Sequence, residues 1–244
     1  MEILKFKLSG KTAFFKIPEA NSYVYFTYSN IHRIALLGIL GSIVGLKGYN
    51  HQKKNEEFPE FYQLLKDIKI AIVPLKEEVS KKIQTFNNSV GYASQEAGGN
   101  LIVREQWLEE PAWDIYILME ESKEICLKLK EALCKYQFKY IPYLGKNDHY
   151  GDITNVKILE GKNVENIKEI HSLFPKKIFK EYVVNGGMKS KRKKIFKNEE
   201  YLPIELEPIA NQYILENIIF TNSKVEVENN ENLYEVEEKV IYFL

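Results

Sequence analysis

The stretch Ile34-Ala35-Leu36-Leu37-Gly38-Ile39-Leu40-Gly41-Ser42-Ile43-Val44-Gly45-Leu46 is the most apolar run in the chain. It holds no charged residue over 13 positions. A run of this length is too short to span a bilayer, because a membrane helix needs about 20 residues. Buried strands usually stop after about 4–8 residues, so the run predicts a fully buried helix. Ser29 or Asn30 can cap its start with a side-chain oxygen.

Three glycines in this run, Gly38, Gly41 and Gly45, recur at helical spacing and leave one face of the helix almost without side chains. Each costs about 1 kcal/mol of helix stability relative to alanine. Close approach of another backbone can offset that cost, and the partner could be the chain's own sheet, a neighbouring subunit or a nucleic acid. The simplest interpretation is tight packing across the chain's own sheet, with Gly38 as a packing residue.

The whole chain has 244 residues, a formal net charge of zero and 45% hydrophobic residues. This length fits one large domain or two small ones with a substantial core. A neutral chain is not attracted as a whole to a polyanion, so a nucleic-acid site must depend on local charge clusters. The four histidines lie at none of the spacings typical of a metal site, and we expect neither a metal nor a cofactor.

The cysteines and the first residues indicate the compartment. Cys126 and Cys134 are eight apart in a predicted helix, too far apart for a disulfide, and reduced thiols are typical of the cytoplasm. Residues 1–8 alternate like a strand and lack the apolar region of a signal peptide. We therefore expect a cytoplasmic protein without a membrane segment.

The apolar periodicity predicts alternating strands and helices, interrupted by an arm at 76–111 that reads as a long β-hairpin. The predicted order is strand 3–8, the glycine helix, a short helix 58–68, strand 68–74, the arm, strand 112–119, helix 122–136 and strand 153–159. This order predicts an α+β fold with a ferredoxin-like (RRM-like) βαββαβ domain at 1–160 and the arm inserted between strands 2 and 3. Residues 161–244 would form a β-rich C-terminal region, with strands near 178–184, 213–220 and 234–243.

Charge is segregated in the C-terminal region. Nine Lys/Arg and one acid lie between Lys176 and Lys197, whereas eleven acids and two lysines follow from Glu199 to the end. A basic loop on a neutral protein can bind a phosphate backbone, although such a run is also typical of a solvated loop. The RNA-binding candidates in this loop are Lys189, Lys191, Arg192, Lys193 and Lys194.

Three motifs resemble the CRISPR-associated protein 5 family, whose members cap the 5′ end of crRNA in the Cascade surveillance complexes of type I CRISPR systems. The first is residues 28–46, where an aromatic segment leads into the glycine helix. The second is Gly99-Asn100-Leu101-Ile102-Val103-Arg104-Glu105-Gln106, on the return limb of the arm that the family calls its thumb. The third is the loop Tyr140-Ile141-Pro142-Tyr143-Leu144-Gly145, closed by Asp152-Ile153. In one departure, Asn30-Ile31-His32 stands where the family often has a proline.

The resemblance implies a non-catalytic ribonucleoprotein subunit for antiviral defence, with type I-B as one subtype that fits. Such a subunit binds the 5′ handle of crRNA, hooks its thumb over the first bases and contacts the Cascade backbone subunit and large subunit. Through the complex it could also lie near target DNA at the protospacer-adjacent motif. The candidate RNA-binding residues are Asn30, His32 and Arg33 at the helix start, Asn100, Arg104, Gln106 and Trp107 on the thumb, and Tyr143, Lys146 and His149 in the loop 140–151.

Two alternatives stay open. In the type I-C branch of the family, the subunit cuts precursor RNA without metal by means of a Tyr, a Lys and a His. The corresponding region here, residues 104–111, has neither lysine nor histidine, so a nuclease would need His149 or His32 as its base. The second alternative is a protein-interaction scaffold without RNA contact, which would use the glycine helix and the acidic C-terminal region.

Overall fold

A computed structural model describes residues 1–19, 22–91, 95–120, 122–164, 167–181, 195–227 and 230–244. Its helices are few and its paired strands are antiparallel, so the fold class is α+β, as the sequence predicts. The elements in chain order are β1 (Glu2–Ser9), β2 (Thr12–Ala13), α1 (Arg33–Val44), α2 (Glu60–Leu65), β3 (Ile70–Pro74), β4 (Lys81–Asn87), β5 (Ile102–Glu109), β6 (Ala112–Leu118), α3 (Glu124–Cys134), β7 (Asp152–Glu160), β8 (Lys162–Asn163), β9 (Phe174–Pro175), β10 (Lys180–Glu181), β11 (Lys197–Leu206), β12 (Tyr213–Thr221), β13 (Val225–Glu226), β14 (Leu233–Val236) and β15 (Lys239–Tyr242).

The central sheet has the strand order β3-β6-β1-β7, and both of its faces are covered. Alternation along β1 turns Leu4, Phe6 and Leu8 toward the face on which α1 and α3 pack. Ile3 belongs to the opposite face, where β14 and β15 contribute apolar side chains such as Phe243 beyond the end of β15. The apolar alternation that predicts β1 therefore also determines which face receives the helices.

The start of α1 differs from the predicted cap. His32, rather than Ser29 or Asn30, is the N-cap residue, and its Nδ1 accepts a hydrogen bond from the backbone N–H of Ala35 at 3.2 Å. The Ser29 N–H instead donates to the Glu200 carboxylate at 2.9 Å. The side-chain oxygen of Asn30 accepts from the indole N–H of Trp113 at 3.0 Å. Both predicted caps are thus engaged with other parts of the chain.

The bare face of α1 packs partly against α2 rather than only against the sheet. A Cβ added at Gly41 would lie 2.7 Å from the Cβ of Phe61, a separation that real side chains do not show. Among the described atoms, the nearest to a Cβ at Gly38 would be a ring carbon of Phe61 at 3.9 Å, which is ordinary contact. Gly41 is therefore the packing residue, and the interpretation of Gly38 as one is not supported by its surroundings.

The thumb is the antiparallel pair β4–β5, and β5 also pairs with β2 at its root. Both limbs lie within the arm predicted at 76–111. Strand β5 ends at Glu109, and β6 of the central sheet begins at Ala112. The root of the thumb is therefore joined to the central sheet by a short connection.

The C-terminal region is β-rich, but its strands differ from the predicted ones. The ten-residue strand β11 was not predicted, because Pro203 and three glutamates interrupt its apolar pattern. The predicted strand at 234–243 is the hairpin β14–β15, with a turn at Glu237 and Glu238. Leu202 of β11 and Ile218 of β12 belong to the same core as α1 and the sheet, so the two regions share one core.

We expect Gly41→Ala to lower the free energy of unfolding by about 1–3 kcal/mol, because the added methyl group overpacks the contact with Phe61. Gly38→Ala is the matched control on the same helix, and its better helix propensity should leave stability equal or raise it by about 1 kcal/mol. Denaturant unfolding of both variants measures the difference. Equal effects of the two substitutions would contradict this packing.

His32 makes the stability of the fold depend on pH. Three aromatic rings enclose it, with Tyr213 at 5.2 Å and Tyr28 at 5.3 Å between ring centroids, and Phe15 beyond them. This burial lowers the pKa of His32 to about 3. Between about pH 6.5 and about pH 3, His32 binds a proton in the unfolded chain but not in the folded chain. The free energy of unfolding therefore falls as the pH falls through this range.

His32→Asn keeps a capping oxygen but does not titrate. As the pH falls from 7 to 5, the wild-type chain should lose about 2 kcal/mol more unfolding free energy than this variant, at about 1.4 kcal/mol per pH unit below 6.5. Unfolding curves at several pH values measure this difference. Parallel pH profiles for the two chains would exclude His32 as the titrating group.

Candidate nucleic-acid interface

A cleft of about 770 Å³ lies along the side of α1 that faces away from the sheet. Ala35, Gly38 and Ser42 line it and are half-exposed. These positions are three and four residues apart, so they share one face of the helix. Because their side chains are small, a ligand in the cleft can approach the helix backbone closely. The glycine spacing that identifies the helix thus also shapes the cleft.

The walls of the cleft are aromatic. Tyr49, Tyr140 and Tyr143 keep 47%, 58% and 46% of their surface exposed, so their rings are open to a ligand. Planar rings of this kind stack on nucleobases, at about 1–3 kcal/mol per base. The aromatic residues that line the cleft come from widely separated segments of the chain: Phe14, Phe15, Tyr25, Tyr49, Phe61, Tyr140, Tyr143 and Tyr213.

Two lysines bring positive charge to the cleft. Lys16 is exposed, and its ammonium lies 4.2 Å from the centroid of the Tyr25 ring. The ammonium of Lys146 lies 3.0 Å from both carboxylate oxygens of Glu105, which is buried. Glu105 also accepts a hydrogen bond from the indole N–H of Trp107 at 2.8 Å. Lys146 is therefore held in place at the root of the thumb, whereas Lys16 can reach into solvent.

The loop motif Pro142-Tyr143-Leu144-Gly145 forms one wall because its backbone docks against the N-terminal segment. Leu144 is fully buried, and its carbonyl oxygen accepts from the backbone N–H of Phe14 at 3.0 Å. Gly145 has φ +92°, and a Cβ there would overlap the carbonyl oxygen of Phe14. Only glycine fits at this contact. The motif therefore fixes Tyr143 and Lys146 beside the cleft, as two of the predicted site residues.

The predicted candidates at the helix start are buried. Asn30, His32 and Arg33 expose 6%, 3% and 8% of their surface. The Arg33 guanidinium donates to the carbonyl oxygens of Ile204 at 3.1 Å and Ile68 at 3.3 Å, and also to that of Lys66. Because α2 and the hairpin β11–β12 cover this end of α1, Asn30 and Arg33 bond to other elements of the fold, whereas His32 is buried but lines the cleft.

The thumb candidates divide between two faces. Side chains alternate along β5, so Arg104 and Gln106 project from the face opposite to Glu105 and Trp107. Arg104 is exposed, as is Asn100 before the strand. Glu105 lines the cleft, and its partner Trp107 lies on the same side of the thumb. The structure therefore does not bring these four predicted residues together on one surface.

His149 packs against the root of the thumb. It is 1% exposed, its Nδ1 lies 2.7 Å from the hydroxyl of Thr12, and its ring meets Trp107 edge to face at 4.7 Å between centroids. Burial lowers the pKa of His149, and the nearby charge of Lys146 lowers it further. The ring is thus buried beside the cleft in surroundings that favour its neutral form.

The remaining predicted candidates, Lys189, Lys191, Arg192, Lys193 and Lys194, lie outside the described residues. Within the described ranges, no group of three or more His, Cys, Asp or Glu side chains is placed to hold a metal ion. In the same part of the chain, every helix is too short or too polar to cross a membrane.

Sequence reasoning missed several residues of the cleft. Phe14, Lys16 and Tyr25 lie in a segment that is rich in aromatic residues. The sequence shows this richness but does not show which side of the segment is exposed. Tyr49 and Tyr213 follow no pattern that marks them. They line the cleft only because the chain after α1 and the start of β12 fold back to it.

Comparisons with known proteins identify the fold. No protein-family model matches the chain, and no curated protein matches it in sequence. Among solved structures it is similar to a chain of a "CRISPR RNA-guided surveillance complex", with TM-score 0.54 and 12% identity over 91% of this chain and 90% of that one. It is also similar to a CRISPR protein from Archaeoglobus fulgidus, with TM-score 0.50 and 13% identity over 100% of this chain and 98% of that one.

A third similar structure is a chain of the type III-B Cmr-beta complex bound to cognate target RNA and AMPPnP. Its TM-score is 0.51, with 8% identity over 99% of each chain. At these identities the likeness concerns the fold. The chain has a fold that CRISPR-associated proteins and subunits of CRISPR effector complexes share.

Proposed function

We propose that the chain is a non-catalytic subunit of a type I CRISPR Cascade complex in the cytoplasm, where it binds and caps the 5′ handle of crRNA. It would also contact the backbone subunit and the large subunit. The observation that carries the proposal is the cleft on α1, with its small-residue floor, exposed tyrosines and two lysines. Two of the structures with a shared fold come from an RNA-guided surveillance complex and from a complex bound to target RNA, which supports the choice of ligand.

We also infer a ferredoxin-like core with an inserted thumb. The strand order β3-β6-β1-β7, with α1 and α2 before β3 and α3 before β7, supports that topology. In RNA-recognition motifs of this topology, bases stack on aromatic side chains of the sheet surface. Here β14 and β15 cover that surface, with Tyr234 and Phe243 against it. RNA would therefore bind beside α1 instead of on the sheet.

Single-stranded RNA fits the chemistry of the cleft better than duplex does. Unpaired bases can leave the stack and lie between aromatic rings, whereas paired bases cannot. The exposed ring of Tyr143 offers a stacking surface, and Lys16 offers a cation for the adjoining phosphate. Gly38 lets the base approach the backbone of α1. Because the whole chain is neutral, stacking should supply more of the affinity than charge does.

The buried position of His149 supports the non-catalytic part of the proposal. A metal-free cut of RNA needs a base that reaches the 2′-hydroxyl of the substrate. His149 is enclosed by Trp107 and Thr12, and His32 is enclosed by three aromatic rings. Both side chains are almost fully buried, with 3% of His32 and 1% of His149 exposed, and this burial argues against either as the base.

Gly38→Leu tests the cleft as the RNA site. The new side chain fills the floor, so affinity for an RNA with the 5′ handle of the repeat from the same genome should fall at least tenfold. Gly38→Ala, which adds only a methyl group, should bind nearly as the wild type does. Equilibrium binding measures both, with thermal unfolding to confirm that each variant is folded. Unchanged affinity in Gly38→Leu would exclude the cleft, and absence of RNA binding by the wild type would favour the scaffold.

Incubation of the chain with precursor repeat RNA in EDTA tests the absence of catalysis. We expect the RNA to stay intact over hours, as seen by denaturing gel electrophoresis, because both histidines that a metal-free cut could use as base are almost fully buried. A discrete cut that is lost in His149→Ala would contradict the non-catalytic proposal. Loss of the cut in His32→Asn would contradict it equally, whereas a cut that survives both substitutions would point to a contaminating nuclease, which a second purification removes.

A further inference from the structure

His32 belongs both to the framework of the fold and to the wall of the cleft. Its ring caps α1, because Nδ1 accepts a hydrogen bond from the backbone N–H of Ala35 at 3.2 Å. The same residue is one of those that line the cleft beside α1. The contact that holds the ring in place therefore uses one ring nitrogen and leaves the other, Nε2, for a different partner.

The cap also determines where the proton of the His32 ring lies. A backbone N–H group can only donate, so Nδ1 must accept and carries no proton. Burial lowers the pKa of His32 to about 3, so the ring is neutral near pH 7. A neutral imidazole has one N–H group, which in His32 must be at Nε2. The start of the helix thus holds Nε2–H as a hydrogen-bond donor in a fixed tautomer.

The Nε2–H group of His32 has no hydrogen-bond partner in the described part of the chain, where the side chain bonds only through Nδ1. Nε2 of His149 also lacks a partner, but that atom is fully buried. Nε2 of His32 is not among the fully buried atoms without a partner. A ligand in the cleft can therefore bring an acceptor atom to this donor.

The surroundings of the donor are aromatic. Phe15 and Tyr213 line the cleft together with His32, and their rings meet its ring edge to face, with centroids 6.1 and 5.2 Å away. These rings offer apolar contact to a planar group and place no charge beside Nε2. A nucleobase that reaches Nε2 would thus also contact an aromatic ring.

The cations of the cleft are engaged with other groups. The ammonium of Lys16 lies over the ring of Tyr25, and that of Lys146 forms an ion pair with Glu105. A phosphate at Nε2 of His32 would lose hydration among the aromatic rings without gaining a cation, which is costly. A carbonyl oxygen of a nucleobase carries no net charge, so it suits this neutral donor better than a phosphate does.

We propose that Nε2–H of His32 donates a hydrogen bond to a carbonyl oxygen of one nucleobase of the RNA in the cleft, and so helps to select the base at that position. The inference rests on the proposed function, because it requires RNA in the cleft. It deepens that function by naming a group that reads a base. Uracil, guanine and cytosine carry carbonyl oxygens, whereas the acceptors of adenine are ring nitrogens.

Replacement of single carbonyl oxygens of the handle RNA by sulfur tests the contact, because sulfur is a weaker acceptor and the base keeps its stacking surface. Each carbonyl oxygen is replaced in turn, and equilibrium binding is measured for the wild type and for His32→Asn. This variant keeps a capping oxygen, but its shorter side chain lacks a donor at the position of Nε2. Thermal unfolding confirms that it is folded.

At one position we expect sulfur to weaken wild-type binding about threefold or more, whereas His32→Asn should bind that RNA and the unmodified RNA equally. If no sulfur-sensitive position loses its sensitivity in His32→Asn, the proposal is overturned. His51→Asn is the matched control, because His51 is exposed and is not one of the residues that line the cleft. It should respond to sulfur as the wild type does, and the same loss of sensitivity there would also overturn the proposal.

Nitrogen NMR of the imidazole rings in the wild-type chain gives a second measurement that needs no variant. We expect the proton of His32 on Nε2 in the free chain, and a downfield shift of that proton when handle RNA binds. A proton on Nδ1, or an Nε2–H resonance that bound RNA leaves unchanged, would overturn the proposal. Failure of the wild type to bind handle RNA would instead contradict the proposed function, so the two failures are distinguishable.

Discussion

The close contact between Gly41 of α1 and Phe61 of α2 lets the two helices pack directly on each other. Because glycine at this position lets α2 lie directly on α1, the segment after α1 turns back beside the helix and brings Tyr49 to the cleft. One side of α1 is then taken by the sheet, another by α2 and its start by the hairpin β11–β12. The strip that includes Gly38 stays open, and the cleft lies along it.

The same covering of surfaces supports the proposed position of the RNA site. Strands β14 and β15 occupy the outer face of the central sheet, and the helices occupy the inner face. The open aromatic surface is therefore beside α1, next to the root of the thumb. The ion pair between Lys146 and Glu105 joins the loop to the thumb at this point, so the thumb and the wall of the cleft are positioned together.

Periodicity predicted the elements of the first 160 residues well, because each depends on a local apolar pattern. It could not predict that Arg33 would be buried, since the carbonyl groups that it binds lie in α2, in the turn before β3 and in β11. Local sequence predicts that an arginine at a helix start is exposed to solvent. Here a hairpin that is distant in sequence covers it. Tyr213 joined the site for the same reason. Strand β11 was missed because Pro203 breaks its pattern, although the proline sits at a bulge where the pairing tolerates it.

The cleft on α1 combines exposed tyrosines, Lys16 and a floor of small residues. A structure of the chain bound to handle RNA tests the cleft as the RNA site most directly, through the distance between the nearest nucleobase and the Cα of Gly38. We expect a base in van der Waals contact with α1, within about 4 Å, stacked on a tyrosine of the cleft wall. RNA that runs along the hairpin or the outer strands, with the cleft empty, would contradict the assignment of the cleft as the RNA site.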